Sequence, residues 1–225
     1  MSSRAALRLP RHRLTAVYER LLAAYRPQHW WPADSPFEVM VGAVLTQNAA
    51  WTNVERALAN LKRHHRFSAR GILDVDQEQL ADWLRPSGYF NIKARRLRNF
   101  CEWYSNAGGL RRLRRRDTAS LRHQLLSVNG IGPETADDIL LYAFDRPVFV
   151  IDAYTRRLFS RLGLIAGDEG YETLRHAFER ALGPDTKVFN EYHALIVRHA
   201  KVSCRVSPLC PGCKLRRQCQ TGTAA

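Results

Sequence analysis

Two glycines one residue apart, in 128-VNGIGPETADD-138, stand between an apolar run and a helix-forming one. A hairpin of this kind can turn consecutive backbone N–H groups outward at the start of the second helix, which makes an anion site. Glycine suits it because a side chain would block the close approach of a phosphate. The stretch lacks the third glycine of a dinucleotide fingerprint and the GK[ST] of a nucleotide-binding loop, so both chemistries are excluded. An ordinary corner between two helices, closed by a glycine, is the alternative. Further along, 148-VFVIDAYTRRLF-159 places Asp152 at the start of a helix-like run. Such an aspartate is a good N-cap. The same carboxylate, flanked by apolar Val150 and Ile151, can also stabilise a developing cation or orient a water.

The chain has five cysteines, and four of them fall in the last 25 residues as Cys204-x5-Cys210-x2-Cys213-x5-Cys219. A disulfide framework would be spread through a small secreted chain, whereas this crowding points to metal. One short Cys-x2-Cys knuckle is compatible with zinc, and four thiolates also suit an iron–sulfur cube. Cys101, in a helical stretch, reads as a buried thiol.

The background is strongly basic. The 225 residues carry a formal charge of +14 and a pI near 10.2, with dense runs at 93-KARRLR-98 and 111-RRLRRR-116. Further basic stretches follow at 198-RHAK-201 and 214-KLRR-217. Solvated helix faces would account for some of this, but phosphate neutralisation makes nucleic acid the better partner. The basic runs have no consistent apolar face, so a membrane surface is not expected. No apolar run approaches the roughly 20 residues that cross a bilayer. The N-terminal MSSRAALRLPRHRL has no apolar signal core, so the expected location is cytoplasmic and nucleoid-associated.

The elements that must position these groups are helices. Apolar residues recur three and four apart in segments 14–25, 37–45, 54–64, 78–85, 92–105, 120–128, 135–144, 154–163, 171–182 and 188–202. Prolines and glycines punctuate them, among them Pro86, Gly108-Gly109, Pro147 and Gly183-Pro184. The one strand-like run, 147-PVFVI-151, is too short and isolated to found a sheet. The class is all-α. No Gly/Ser linker interrupts the chain, so a second lobe is expected to pack against the first.

The combination of 125-LLSVNGIGPETADDILLYAF-144, 151-IDAYTRRL-158 and the cysteine loop resembles the helix-hairpin-helix DNA glycosylases of the endonuclease III superfamily. The likeness takes in 44-VLTQNAAWTNVERAL-58 and 88-GYFNIKARRL-97, and so most of the chain. It implies a two-lobed helix-hairpin-helix glycosylase fold with a C-terminal iron–sulfur cluster loop. A helical barrel would span 34–147, and 1–33 would join 148–225 in the second domain. It implies that Asn129, Gly130, Ile131 and Gly132 grip a DNA phosphate, that Asp152 is catalytic, and that Gln47 fills the gap left by a flipped base. It implies a [4Fe–4S] cluster on Cys204, Cys210, Cys213 and Cys219, although the commoner spacing has one more residue between the first two cysteines.

Bifunctional members carry a lysine two residues after the second glycine, which attacks C1′ and cuts the strand. Here that position is Glu134, which cannot form an imine. The resemblance therefore implies hydrolysis without strong lyase activity. The segment 29-HWWPADSPFEVMVGAVLTQNAAW-51 is similar to the 3-methyladenine DNA glycosylase III branch. By that likeness Trp30, Trp31, Pro32 and Trp51 line a base pocket, with Glu134 and Lys201 as further pocket candidates. Aromatic faces attract a cationic, electron-poor alkylated purine. The expectation is thus a monomeric enzyme that removes an alkylated purine such as 3-methyladenine from double-stranded DNA. The rivals are a bifunctional enzyme for oxidised pyrimidines and a non-catalytic binder of unusual DNA structures.

Overall fold

The computed structural model describes residues 7–223. Among them the regular elements are helices: α1 (Arg11–Tyr25), α2 (Pro36–Leu45), α3 (Trp51–Arg63), α4 (Ala69–Leu73), α5 (Gln77–Leu84), α6 (Phe90–Asn106) and α7 (Gly109–Leu113). Then come α8 (Thr118–Leu126), α9 (Pro133–Phe144), α10 (Ala153–Arg161), α11 (Tyr171–Leu182), α12 (Thr186–Val202) and α13 (Gln220–Thr223). The chain divides into two compact units. One runs from Trp31 to Arg146; the other joins the segment ending at Trp30 to the chain from Pro147 onward. No helix among the described residues is long and apolar enough to cross a membrane.

The unit from Trp31 to Arg146 is built on α2 and α9. In PFEVMVGAVL every residue from Glu38 to Leu45 is buried, so α2 is covered on all sides. Ser35 caps it by accepting the Glu38 N–H at 3.2 Å, and Pro36 occupies the first turn, where it loses no hydrogen bond. Helix α9 is buried from Thr135 to Leu141, and α2 is its most extensive packing partner. On α6, Lys93 is buried among Ala94, Leu97 and Phe100. Its ammonium donates to the carbonyls of Leu45 at 2.8 Å and Ser87 at 2.6 Å. It thereby satisfies acceptors left over at the end of α2 and of the 3-10 turn Arg85–Ser87.

The other unit packs α1, α10, α11 and α12 around aromatic rings. Phe149 stacks on Phe178 at 4.6 Å and meets Phe189 edge-on at 5.3 Å, while Phe159 meets Phe178 at 4.8 Å. Buried Tyr192 donates its hydroxyl to the Leu14 carbonyl at 2.8 Å, tying α12 to α1. The strand-like run at 147–151 is non-helical, buried from Val148 to Ile151, and pairs with no strand among the described residues. Side chains take its N–H groups instead: Phe149 donates to Glu179 at 3.1 Å and Ile151 to the Tyr171 hydroxyl at 3.4 Å.

The apolar periodicity falls on the observed helices except α4, α7 and α13. Five residues or fewer cannot establish a 3.6-residue repeat. Gly108-Gly109 does break the chain, but Gly109 also opens α7, with Gly108 left-handed before it at φ 85°.

Candidate functional site

The hairpin joins α8 to α9 through residues 127–132. Val128 and Ile131 are buried, which leaves Asn129 and Gly132 facing outward. The Ile131 N–H closes the turn on the Val128 carbonyl at 3.0 Å, and Asn99 holds the Asn129 carbonyl at 3.1 Å. An ion pair locks the two helices. Arg122 of α8 donates from Nε to Asp137 Oδ1 at 2.6 Å and from its second nitrogen to Oδ2 at 3.1 Å, with Asp137 wholly buried.

The two glycines differ in what they are for. Gly130 has φ +98°, where a side chain is strained, and a Cβ there would lie 2.3 Å from Arg96 Cγ. The fold itself demands that glycine. Gly132 has φ −91° and ψ 177°, open to any residue, and a Cβ there would meet nothing within 4 Å. Packing within the chain does not demand it. It keeps clear the exposed N-terminus of α9, where orphan N–H groups and the helix dipole favour an anion. Glu134 occupies the same first turn, on an exposed part of α9.

Gln47, just beyond α2, is tied to this hairpin. Its Nε2 donates to the Gly130 carbonyl at 2.9 Å and to Thr135 Oγ1 at 3.0 Å, and its Oε1 accepts from Arg96. In the same unit Trp31 meets Trp51 edge-on at 5.2 Å and Tyr142 at 5.3 Å. The three rings are half-buried. Gly42 admits Trp31 to α2, since a Cβ there would stand 3.3 Å from the indole. Pro32 is exposed, and half-buried Trp30 ends the N-terminal segment of the other unit.

In that other unit Asp152 caps α10, accepting the Thr155 N–H at 2.6 Å. Its second oxygen lies 3.5 Å from Nε2 of buried His193 on α12. Burial alone would raise the Asp152 pKa, but His193 and the Thr155 donors outweigh it and hold the carboxyl below its ordinary value. The result is a buried, ionised carboxylate. Lys201 lies two turns beyond His193 on α12 and is exposed. Partial desolvation and then Arg198 push its amine down, against the opposing charge of Asp152.

Cys204, Cys210, Cys213 and Cys219 are free thiols around one cavity, whose wall also includes Arg161, His199, Leu158 and Leu215. Among the described residues no His, Cys, Asp or Glu set is gathered for a single metal ion. Arg161 clamps the loop, donating to Cys204 Sγ at 3.3 Å and to the carbonyls of Arg205 and Val206 at 2.6 and 2.7 Å. The Leu215 N–H points at Cys213 Sγ, 3.4 Å away. Cys101 is elsewhere, fully buried in α6, and burial pushes its thiol up to about 12.

Residues 41–184 match the HhH-GPD superfamily of base excision DNA repair proteins. The chain belongs to that superfamily. It is 47% identical over 206 residues to a Methanocaldococcus jannaschii protein that carries the name DNA repair glycosylase, covering 90% of this chain and 94% of that one. It is 27% identical over 186 residues to the endonuclease III of Sulfolobus acidocaldarius, covering 82% and 81%. Among solved structures, the 3-methyladenine DNA glycosylase of H. pylori, bound to 1,N6-ethenoadenine, superposes with a TM-score of 0.73 at 30% identity. That match covers 85% of this chain and 96% of the other. A non-covalent endonuclease III–DNA complex gives 0.82 at 21% identity over 96% and 98%, a likeness of fold.

This HhH-GPD DNA glycosylase thus bears out the family expected from its sequence motifs. The structure joins Gln47 to Gly130, gathers Trp31 with Trp51, and sets the four cysteines round one cavity. His193, Tyr142, Gly42 and Arg96 were not singled out from the sequence. His193 had one available signal: it stands eight residues before Lys201 in the same helix-forming segment. Tyr142 had none, because an aromatic residue at helical spacing reads as core.

Proposed function

We propose that this DNA glycosylase hydrolyses the glycosidic bond of an alkylated purine and leaves the abasic strand uncut. The observation that carries the substrate class is the cluster of Trp31, Trp51 and Tyr142, seated on Gly42. Half-buried indole and phenol faces stack on a cationic purine and attract its charge. The likeness to the H. pylori enzyme supports the same class. The hairpin amides beyond Gly132 receive a phosphate, the basic runs add salt-sensitive contacts, and Gln47 leaves its bonds at the hairpin to occupy the gap of the flipped nucleotide. As the C1′–N bond breaks, its electron pair goes to the base, which leaves neutral because it began as a cation. The Asp152 carboxylate stabilises the positive charge left on the sugar, and a water oxygen then bonds to C1′ and releases a proton.

No lysine stands in the hairpin, and Glu134 cannot form an imine. Lys93 is buried and committed to two carbonyls, so its amine is not a substitute. Cys204, Cys210, Cys213 and Cys219 would hold a [4Fe–4S] cluster. Four sulfurs around one cavity, with N–H donors of Arg161 and Leu215 aimed at two of them, suit that group. When bound, it supplies a structural centre for the loop that bears Arg205, Lys214, Arg216 and Arg217.

A second reading keeps strand cleavage, with Lys201 as the amine. It rests on the depressed pKa of Lys201 and its charge coupling to Asp152. Excision from duplexes carrying a methylated purine or thymine glycol, each read with and without alkali, separates the two. Methylpurine release with strand breaks only after alkali supports hydrolysis. Direct cutting at thymine glycol, with a borohydride-trapped covalent complex lost in Lys201→Ala, overturns it.

A further inference from the structure

Tyr25 ends α1, and its hydroxyl lies 2.9 Å from Nδ1 of His199 on α12. The other ring nitrogen, Nε2, faces Cys213 Sγ at 3.6 Å. His199 is wholly inaccessible to solvent, and its ring forms part of the cavity wall that carries the four cysteines. An imidazole so placed is neutral, because a buried cation without a carboxylate partner is costly. A neutral imidazole has one N–H to give, and the choice of nitrogen is set by what each nitrogen faces.

From this we propose that Tyr25 and His199 form a relay that fixes one hydrogen bond to Cys213 and so tunes the reduction potential of the cysteine-bound centre. The inference rests on the reading that these cysteines hold a [4Fe–4S] cluster. A ligating thiolate only accepts, so Nε2 must carry the proton. Nδ1 is then a bare acceptor, and the Tyr25 O–H fills it. With a free thiol at Cys213 the chain can reverse: S–H donates to Nε2, and Nδ1–H donates to the Tyr25 oxygen. In the loaded loop the thiolate selects the tautomer, and the Tyr25 O–H, by donating to Nδ1, draws charge from the ring and strengthens the Nε2–H bond to the sulfur. An N–H directed at a ligand sulfur withdraws charge from it, and this favours the more negative, reduced state of the cluster. Arg161 does the same at Cys204, but it is a permanent donor with no tautomer to choose. Cys213 also faces the fixed Leu215 N–H at 3.4 Å, so His199 is the one of its two donors that depends on a neighbour.

The test is voltammetry of purified protein, with iron, sulfide and absorbance near about 400 nm measured on the same samples. Tyr25→Phe keeps the ring and removes only the hydroxyl. The expected result is a lower reduction potential at undiminished iron content. His199→Gln, which deletes the imidazole donor, lowers it at least as far. Nitrogen-15 NMR of histidine-labelled protein should show the proton of His199 on Nε2, with the Nδ1 resonance displaced in Tyr25→Phe by the loss of its hydrogen bond. A loaded Tyr25→Phe protein with the wild-type potential and an unmoved Nδ1 resonance overturns the relay while leaving the cluster intact. Wild-type protein without iron and sulfide overturns the cluster reading, and the relay with it.

Discussion

Gly130→Ala tests the claim that the hairpin is held by Arg96 and Gln47. Two separable costs follow from the structure. A side chain at φ +98° is strained, and for a non-glycine residue this costs roughly 1–3 kcal/mol. The new Cβ would also stand 2.3 Å from Arg96 Cγ, 2.9 Å from Cδ and 3.0 Å from Arg96 Cβ. Contact that near the base of the side chain cannot be cleared by its tip alone, so Arg96 must leave Gln47. A hydrogen bond involving a charged group contributes roughly 1.5–3 kcal/mol, discounted here to about 1 because Arg96 is part-exposed. The total is about 2–4 kcal/mol, or a Tm drop of roughly 5–15 °C for a chain of this size. The assay is a double-mutant cycle with Arg96→Ala, followed by urea unfolding. With Arg96 truncated, Gly130→Ala should cost the backbone part and the remaining 3.0 Å contact with the Cβ at position 96, leaving a coupling of about 1 kcal/mol. Additive effects, with a coupling below about 0.3 kcal/mol, would refute the reasoning. Gly132→Ala is the control. With φ −91° and open space around its Cβ, it should leave stability within about 1 kcal/mol of wild type while weakening DNA binding several-fold. Unchanged affinity would remove the phosphate site from the α9 N-terminus.

Asp152→Asn should abolish excision and retain DNA binding; unaltered excision would reduce Asp152 to a cap. His193 holds the Asp152 pKa down, so His193→Asn should raise it, and the acid-side loss of excision should begin at a higher pH than in wild type. Lys93 tests the buried amine. Burial, then Arg96, lowers its pKa from 10.5 to about 8, so the unfolded chain binds more protons between those values. Wild-type stability should therefore rise with pH across that window relative to Lys93→Met, by roughly 3 kcal/mol at most. Parallel urea midpoints for the two proteins at about pH 7.5 and about pH 9.5 would contradict this. Finally, Arg122→Met should cost about 3–5 kcal/mol by taking the guanidinium away from the buried Asp137 charge, and Arg122→Met with Asp137→Leu should cost less than the single change. An equal or larger loss in the pair would mean the interaction is not the source.

The sequence by itself determined the class and the chemistry-bearing motifs. Helical periodicity, the paired glycines, the aspartate after them and the cysteine spacing are local patterns, written within a few residues of one another. The superfamily was legible for the same reason. What the sequence could not express is which distant side chains converge. Gln47 meets the Gly130 carbonyl and Thr135 because α2 packs against α9, more than eighty positions away in the chain. Trp31 reads as a pocket residue only by likeness until Gly42 and Tyr142 are seen against it. Asp152 is an N-cap by every local rule, and it is one. Only the approach of His193 from α12 shows what else holds its charge in a buried place. The two glycines of the hairpin look alike in the sequence, yet Gly130 makes room for Arg96 while Gly132 makes room for nothing in the chain. Local propensity is a property of neighbours along the backbone. Charge, burial and clearance depend on what packing brings together, and only the tertiary structure decides that.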